Sequence, residues 1–119
     1  PQVLAARRIP HGEVADWLSA VDFYVQPVKT EASSNSMREA AACGLPIVSS
    51  DIASNREFLD SSYSTLIDPM DIDRLRTEIL KLADDPQLRD KMSKAALAKS
   101  QKSDITARAS QILEWLELT

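Results

Sequence analysis

Residues 31–51 read Glu31-Ala32-Ser33-Ser34-Asn35-Ser36-Met37-Arg38-Glu39-Ala40-Ala41-Ala42-Cys43-Gly44-Leu45-Pro46-Ile47-Val48-Ser49-Ser50-Asp51. The stretch divides into turn, helix and strand. Ser33-Ser34-Asn35 are loop and helix-cap residue types. Ser36 to Cys43 predicts a short helix with Met37, Ala40 and Ala41 on one face. Gly44 is the natural stop, because helices commonly end on a residue of positive φ. Leu45 to Ser49 predicts a strand, with Pro46 tolerable near its start. Just upstream, Phe23-Tyr24-Val25-Gln26 predicts another strand, stopped by Pro27. Strand, helix, strand is a βαβ unit, and such units pair their strands in parallel.

The alternation continues on both sides. Gln2 to Ile9 predicts a short strand leading to Pro10. Glu13 to Val21 predicts a helix, with Val14, Trp17, Leu18 and Val21 at i, i+3, i+4 and i+7. Asp51 to Ser54 predicts a loop, Asn55 to Leu59 a short helix, and Ser64 to Ile67 a strand closed by Asp68-Pro69. From Asp71 onward the pattern is helical. Asp71 can cap a helix whose buried face holds Ile72, Leu75, Ile79, Leu80 and Leu82. Asp85 followed by Pro86 restarts the chain as a second helix, with Leu88, Met92, Ala95, Ala96 and Ala98. A third helix starts at Ser103 or Asp104, with Ile105, Ile112, Leu113, Trp115 and Leu116 as its apolar positions. The expected fold class is therefore α/β: a Rossmann-like parallel sheet with flanking helices, built by residues 1–69 and followed by a helical tail over residues 70–119. Trp17 and Trp115 are expected in the core.

Composition narrows the function classes. The chain has 119 residues, suited to one domain. Its net charge is -4 and its basic residues are scattered, which argues against nucleic-acid binding. Cys43 is the only cysteine, so no intrachain disulfide or multi-cysteine metal site can form, in keeping with a reducing cytoplasm. His11 is the only histidine and is expected to be incidental rather than a metal ligand. No apolar run approaches a membrane span and no signal peptide is visible. Lys91, Lys94, Lys99 and Lys102 read as the wet faces of helices.

The chemistry concentrates between Glu31 and Glu39. Parallel sheets place ligands at the carboxyl ends of their strands, and Glu31 follows such an end. The serine-rich turn opens a helix, whose free N–H groups and positive dipole end suit a phosphate. Glu39 stands one turn into that helix. A carboxylate accepts hydrogen bonds and donates none, so it suits two adjacent hydroxyls, as on a ribose. A competing reading stands beside this one: Ser36-Met37-Arg38-Glu39 also fits a capping box, as does Ser54-Asn55-Arg56-Glu57. On spacing alone the box is the commoner outcome.

The wording of the stretch resembles family 4 (group 1) glycosyltransferases of GT-B architecture. Glu31 and Glu39 have the Glu-x7-Glu spacing that marks this family. The surrounding Ser33-Ser34-Asn35, Glu39-Ala40, Cys43-Gly44-Leu45-Pro46-Ile47-Val48 and Asn55-Arg56-Glu57 match as well. The resemblance extends from Leu18 to Pro27 and through Asp68-Pro69-Met70-Asp71 into the helices beyond. It implies that residues 1–119 are part of a C-terminal donor-binding domain, with the first strands of that domain and the acceptor-binding N-terminal domain lying in a larger parent. The parent it implies is a retaining hexosyltransferase that moves a sugar from a nucleotide-diphosphate sugar to a glycan or lipid-linked acceptor, as in polysaccharide biosynthesis. It implies no metal and no other cofactor. A lipid-linked acceptor would bring the cytoplasmic parent to a membrane surface.

By the same resemblance, Glu39 holds the donor ribose and Glu31 is the catalytic carboxylate near the donor sugar. The backbone around Ser33, Ser34, Asn35 and Ser36 faces the diphosphate. An arginine and a lysine that share this work in the family belong to an earlier segment. Two other readings stay open: a nucleotide-sugar epimerase of GT-B architecture, and a degenerate domain that only packs against a partner. The chain has just two glycines. Ala32, the pair Ala53-Ser54, and Ser64 stand where the family often has glycine, which is expected to narrow the site. Arg56 and Glu57 are expected in a helix-start salt link, Lys29 in solvent, and Cys43 as a small buried residue.

Overall fold

The computed structural model describes residues 9–29, 35–102 and 105–118. The strand expected over Gln2 to Ile9 falls mostly outside them. A 3-10 turn, His11–Glu13, leads into α1 (Val14–Ser19). Then follow β1 (Tyr24–Gln26), α2 (Asn35–Ala42), β2 (Ile47–Ser50), α3 (Ala53–Phe58) and β3 (Ser64–Ile67). Three helices close the chain: α4 (Ile72–Asp84), α5 (Pro86–Lys102) and α6 (Ile105–Leu118). The described strands form one parallel sheet in the order β1-β2-β3. Val25 stands opposite Val48, and Val48 opposite Thr65. The expected α/β class, a parallel sheet with flanking helices, is the one observed.

β2 is the central strand, and all four of its residues are buried. Continuous burial is what a parallel strand covered on both faces requires. It begins at Ile47, two residues later than the pattern suggested. Pro46 has no N–H to donate, but its carbonyl accepts from Tyr24 N at 2.9 Å and so aligns β1. The core gathers Met37, Ala40 and Ala41 of α2 with Ile47, Val48, Leu59, Tyr63 and Ile67, and with Leu82, Met92 and Ala96 of α4 and α5.

Gly44 ends α2 at φ +75°. Leu45 N donates to Ala40 O at 3.1 Å and Gly44 N to Ala41 O at 3.0 Å, the paired bonds of a Schellman termination. The two later caps also form. Asp71 accepts from Arg74 N and Asp85 from Leu88 N, each at 3.0 Å.

Several apolar positions lie elsewhere than expected. Trp17 is 40% exposed and Trp115 64%, so neither is a core residue. Ile72 and Leu80 of α4 are exposed, as is Ala98 of α5, while Glu78 and Leu82 are the buried residues of α4 and Leu75 and Ile79 are half-buried. Helical periodicity identifies an apolar stripe but not what covers it. On α1 the stripe is only partly used: Leu18 touches the core, whereas Trp17, about 100° around the helix, does not. On α6, Ile112, Leu113 and Leu116 are more than half exposed. No helix among the described residues is long and apolar enough to cross a membrane.

The turn before β3 is fastened by Asp60. The Ser62 hydroxyl, the Ser62 N–H at 2.8 Å and the Lys99 ammonium at 3.3 Å hold its carboxyl down to about 2, from an ordinary 3.8. A depressed carboxyl adds stability that is present above its unfolded value and lost as pH falls toward 2. Acid titrations of wild type and Asp60→Asn should therefore differ between neutral pH and about pH 4, then converge near pH 2. Parallel curves throughout would remove Asp60 from the acid response.

Candidate functional site

The carboxyl ends of β1 and β2 and the first turns of α2 meet at one end of the sheet. Glu31, Ser33 and Ser34 lie outside the described residues, as does Ala32. Asn35 is the first residue of α2, and Ser36 and Glu39 follow on its first turns. Because α2 starts at Asn35, Ser36 lies inside the helix and cannot cap it. The capping box on Ser36 is thus not the arrangement adopted. The second box fails in the same way. α3 starts two residues earlier than expected, Ile52 occupies the cap position without a side-chain bond, and Ser54 Oγ is buried with no partner among the described residues.

Freed from a cap, Glu39 faces a groove between α1 and α2. The groove has a volume of about 290 Å³ and is lined by Val14, Ala15, Leu18, Glu39, Ala42 and Cys43. Its walls are apolar apart from that carboxylate. Cys43 is half-buried here, at the edge of the core rather than inside it.

Tyr24 reaches the same turn from below. Its hydroxyl donates to Gln26 Oε1 at 2.7 Å and accepts from the Ser36 hydroxyl, with Glu39 close enough to act on it electrostatically. Burial raises the phenol above its usual range; the Ser36 bond opposes this and Glu39 adds to it. Tyr24 and Gln26 share a face because side chains alternate along a strand.

Ser49, Ser50 and Asn55 form a buried polar lock beside this turn. Ser49 Oγ donates to Gln26 O at 2.8 Å and accepts from Asn55 Nδ2 at 3.1 Å. Asn55 Nδ2 also donates to Ser50 O at 2.8 Å, and Val28 N donates to Ser50 Oγ at 2.7 Å. The lock joins the end of β2 to the end of β1 and to the segment that leaves β1 toward Glu31. Sequence reading missed it. Its one visible signal was the pair of serines ending a strand otherwise built from Ile47 and Val48.

Arg56 pairs with Asp51 at 2.5 Å, an exposed helix-start link as expected, while Glu57 is exposed. Lys29 is exposed. No residue other than glycine has a positive φ among the described residues, so Ala53, Ser54 and Ser64 sit in ordinary helix or strand backbone. At those three positions the chain needs no glycine. The side chain of His11 lies outside the described residues.

Comparison with known proteins bears on the same region. A family model described as glycosyl transferases group 1 matches residues 1–99. No curated protein and no solved structure matches the chain. The matched span takes in all three strands, the Glu39 groove and the polar lock, and with most of its length inside the family pattern the chain belongs to the group 1 glycosyl transferases.

Proposed function

We propose that this chain is the nucleotide-sugar-binding part of the C-terminal domain of a GT-B glycosyltransferase of family 4 type. The parent is a retaining hexosyltransferase that carries a sugar from a nucleotide-diphosphate donor to a glycan or lipid-linked acceptor, without an obligatory metal. The observation that carries this reading is the placement of Glu39. A lone carboxylate in an otherwise apolar groove, one turn along α2 from its first residue, suits a nucleotide that extends from the groove toward the helix start. The carboxylate accepts from the ribose hydroxyls, the apolar walls cover a flat base, and the α2 N–H groups meet the diphosphate. On this reading Ser33, Ser34, Asn35 and Ser36 surround the phosphates, and Glu31 stands at the donor sugar. As the sugar departs, the diphosphate gains negative charge, and donors already aimed at it lower the barrier.

Isothermal titration of the chain with UDP and GDP tests this reading against a Glu39→Ala variant. Losing hydrogen bonds to a charged group costs about 1.5–3 kcal/mol, so affinity should fall roughly 10- to 100-fold. A folded variant with wild-type affinity would remove Glu39 from the site.

A further inference from the structure

We infer that the Tyr24 hydroxyl is a positioning group for this site, bridging Gln26 at the end of β1 to Ser36 in the first turn of α2 and so setting where Glu39 stands. The inference rests on the donor-site reading above and adds a residue to it.

Three observations support it. The phenol has partners on both sides: it donates to Gln26 Oε1 at 2.7 Å and accepts from Ser36. Gln26 is the last residue of β1 and Ser36 the second residue of α2, so the partners stand on consecutive elements of the chain. The hydroxyl therefore ties the end of β1 to the start of α2 by side-chain bonds. Glu39 lies within electrostatic reach of the same oxygen. A change at Glu39 should thus be felt at Tyr24, and the reverse. Tyr24 touches no reacting atom in this scheme. It acts through Ser36 and Glu39, by limiting how far the first turn of α2 can shift relative to the sheet.

The ring and its hydroxyl can be separated by experiment. Tyr24→Phe keeps the ring that packs against the core and removes only the bridge. Its melting temperature should stay near wild type, while its dissociation constant for UDP or GDP rises about 3- to 10-fold, because the two lost bonds reach the nucleotide only through Ser36 and Glu39. Fluorine NMR on protein labelled with 3-fluorotyrosine adds a readout that a purely structural role would not move. The chain has two tyrosines. The Tyr24 resonance should shift on saturation with nucleotide. That of Tyr63, buried at the start of β3, should not. In nucleotide-free protein, Glu39→Gln should also move the Tyr24 resonance and leave Tyr63 in place.

Wild-type affinity in Tyr24→Phe overturns the inference while leaving the Glu39 reading intact. Binding of neither nucleotide by the wild type defeats the Glu39 reading. The nucleotide-free comparison then decides the bridge by itself, and a Tyr24 resonance unmoved by Glu39→Gln rejects it.

Discussion

Gly44→Val should unfold the chain at a urea concentration and a temperature well below those that unfold the wild type. Gly44 has φ +75° and is the residue on which α2 turns toward β2. A side chain in that backbone region costs about 1–3 kcal/mol, and a β-branched one sits at the upper end. Space is lacking as well. A Cβ at position 44 would stand 3.0 Å from both Leu97 Cγ and Ser93 Oγ of α5. Overpacking of that kind adds about 1–3 kcal/mol. A total of roughly 4–6 kcal/mol is a large share of the stability of a small domain, about 5–15 kcal/mol. Gly12→Val is the matched control, because a Cβ there meets nothing within 4 Å. Urea unfolding of the two variants should separate them clearly. Equal midpoints would mean that α2 does not terminate against α5 as described.

Asn55→Ala should cost about 2–3 kcal/mol, the loss of two buried hydrogen bonds and the small void left behind. Asn55 is almost wholly buried, and its amide joins the Ser49 hydroxyl to the Ser50 carbonyl. The neighbouring Arg56→Ala removes an exposed ion pair and should leave the midpoint of unfolding unchanged. The functional consequence follows from the location of the lock. Val28 N is held by Ser50 Oγ, so loosening Asn55 also loosens the segment that carries Glu31 away from β1. Denaturation midpoints that rank the two variants the other way would show that the lock is decorative.

The frame was readable from local pattern alone. The strand–helix alternation from β1 onward, Gly44 as a stop, and Asp71 and Asp85 as caps depend on near neighbours in sequence; all are found, with β2 starting two residues later and α3 two residues earlier than expected. What could not be read depends on distant partners. Trp17 and Trp115 sit on apolar stripes, but a stripe does not say what lies opposite it. The capping box is a short-range signal that was overridden here. Tyr24 takes the Ser36 hydroxyl, and Asn55 turns inward to bonds with Ser49 and Ser50. Both overrides set a side chain at a helix start against the strand that precedes it, a contact that the four-residue box does not encode. At the candidate site, Glu39 was expected from the family resemblance of the stretch around it, but its groove with α1 required the fold. Tyr24 was read only as a strand residue, since nothing local marks its hydroxyl as a bridge.

The placement of a nucleotide between α1 and α2 is tested most directly by amide NMR of the chain during titration with UDP and then GDP. The account predicts saturable shifts at Ser36 to Glu39, at Val14, Ala15 and Leu18 across the groove, and at Ser33 and Ser34. Ser61 to Tyr63, at the other end of the sheet, should be unaffected. A folded spectrum that shows no saturable shift with either nucleotide, or shifts centred away from α2, would contradict it.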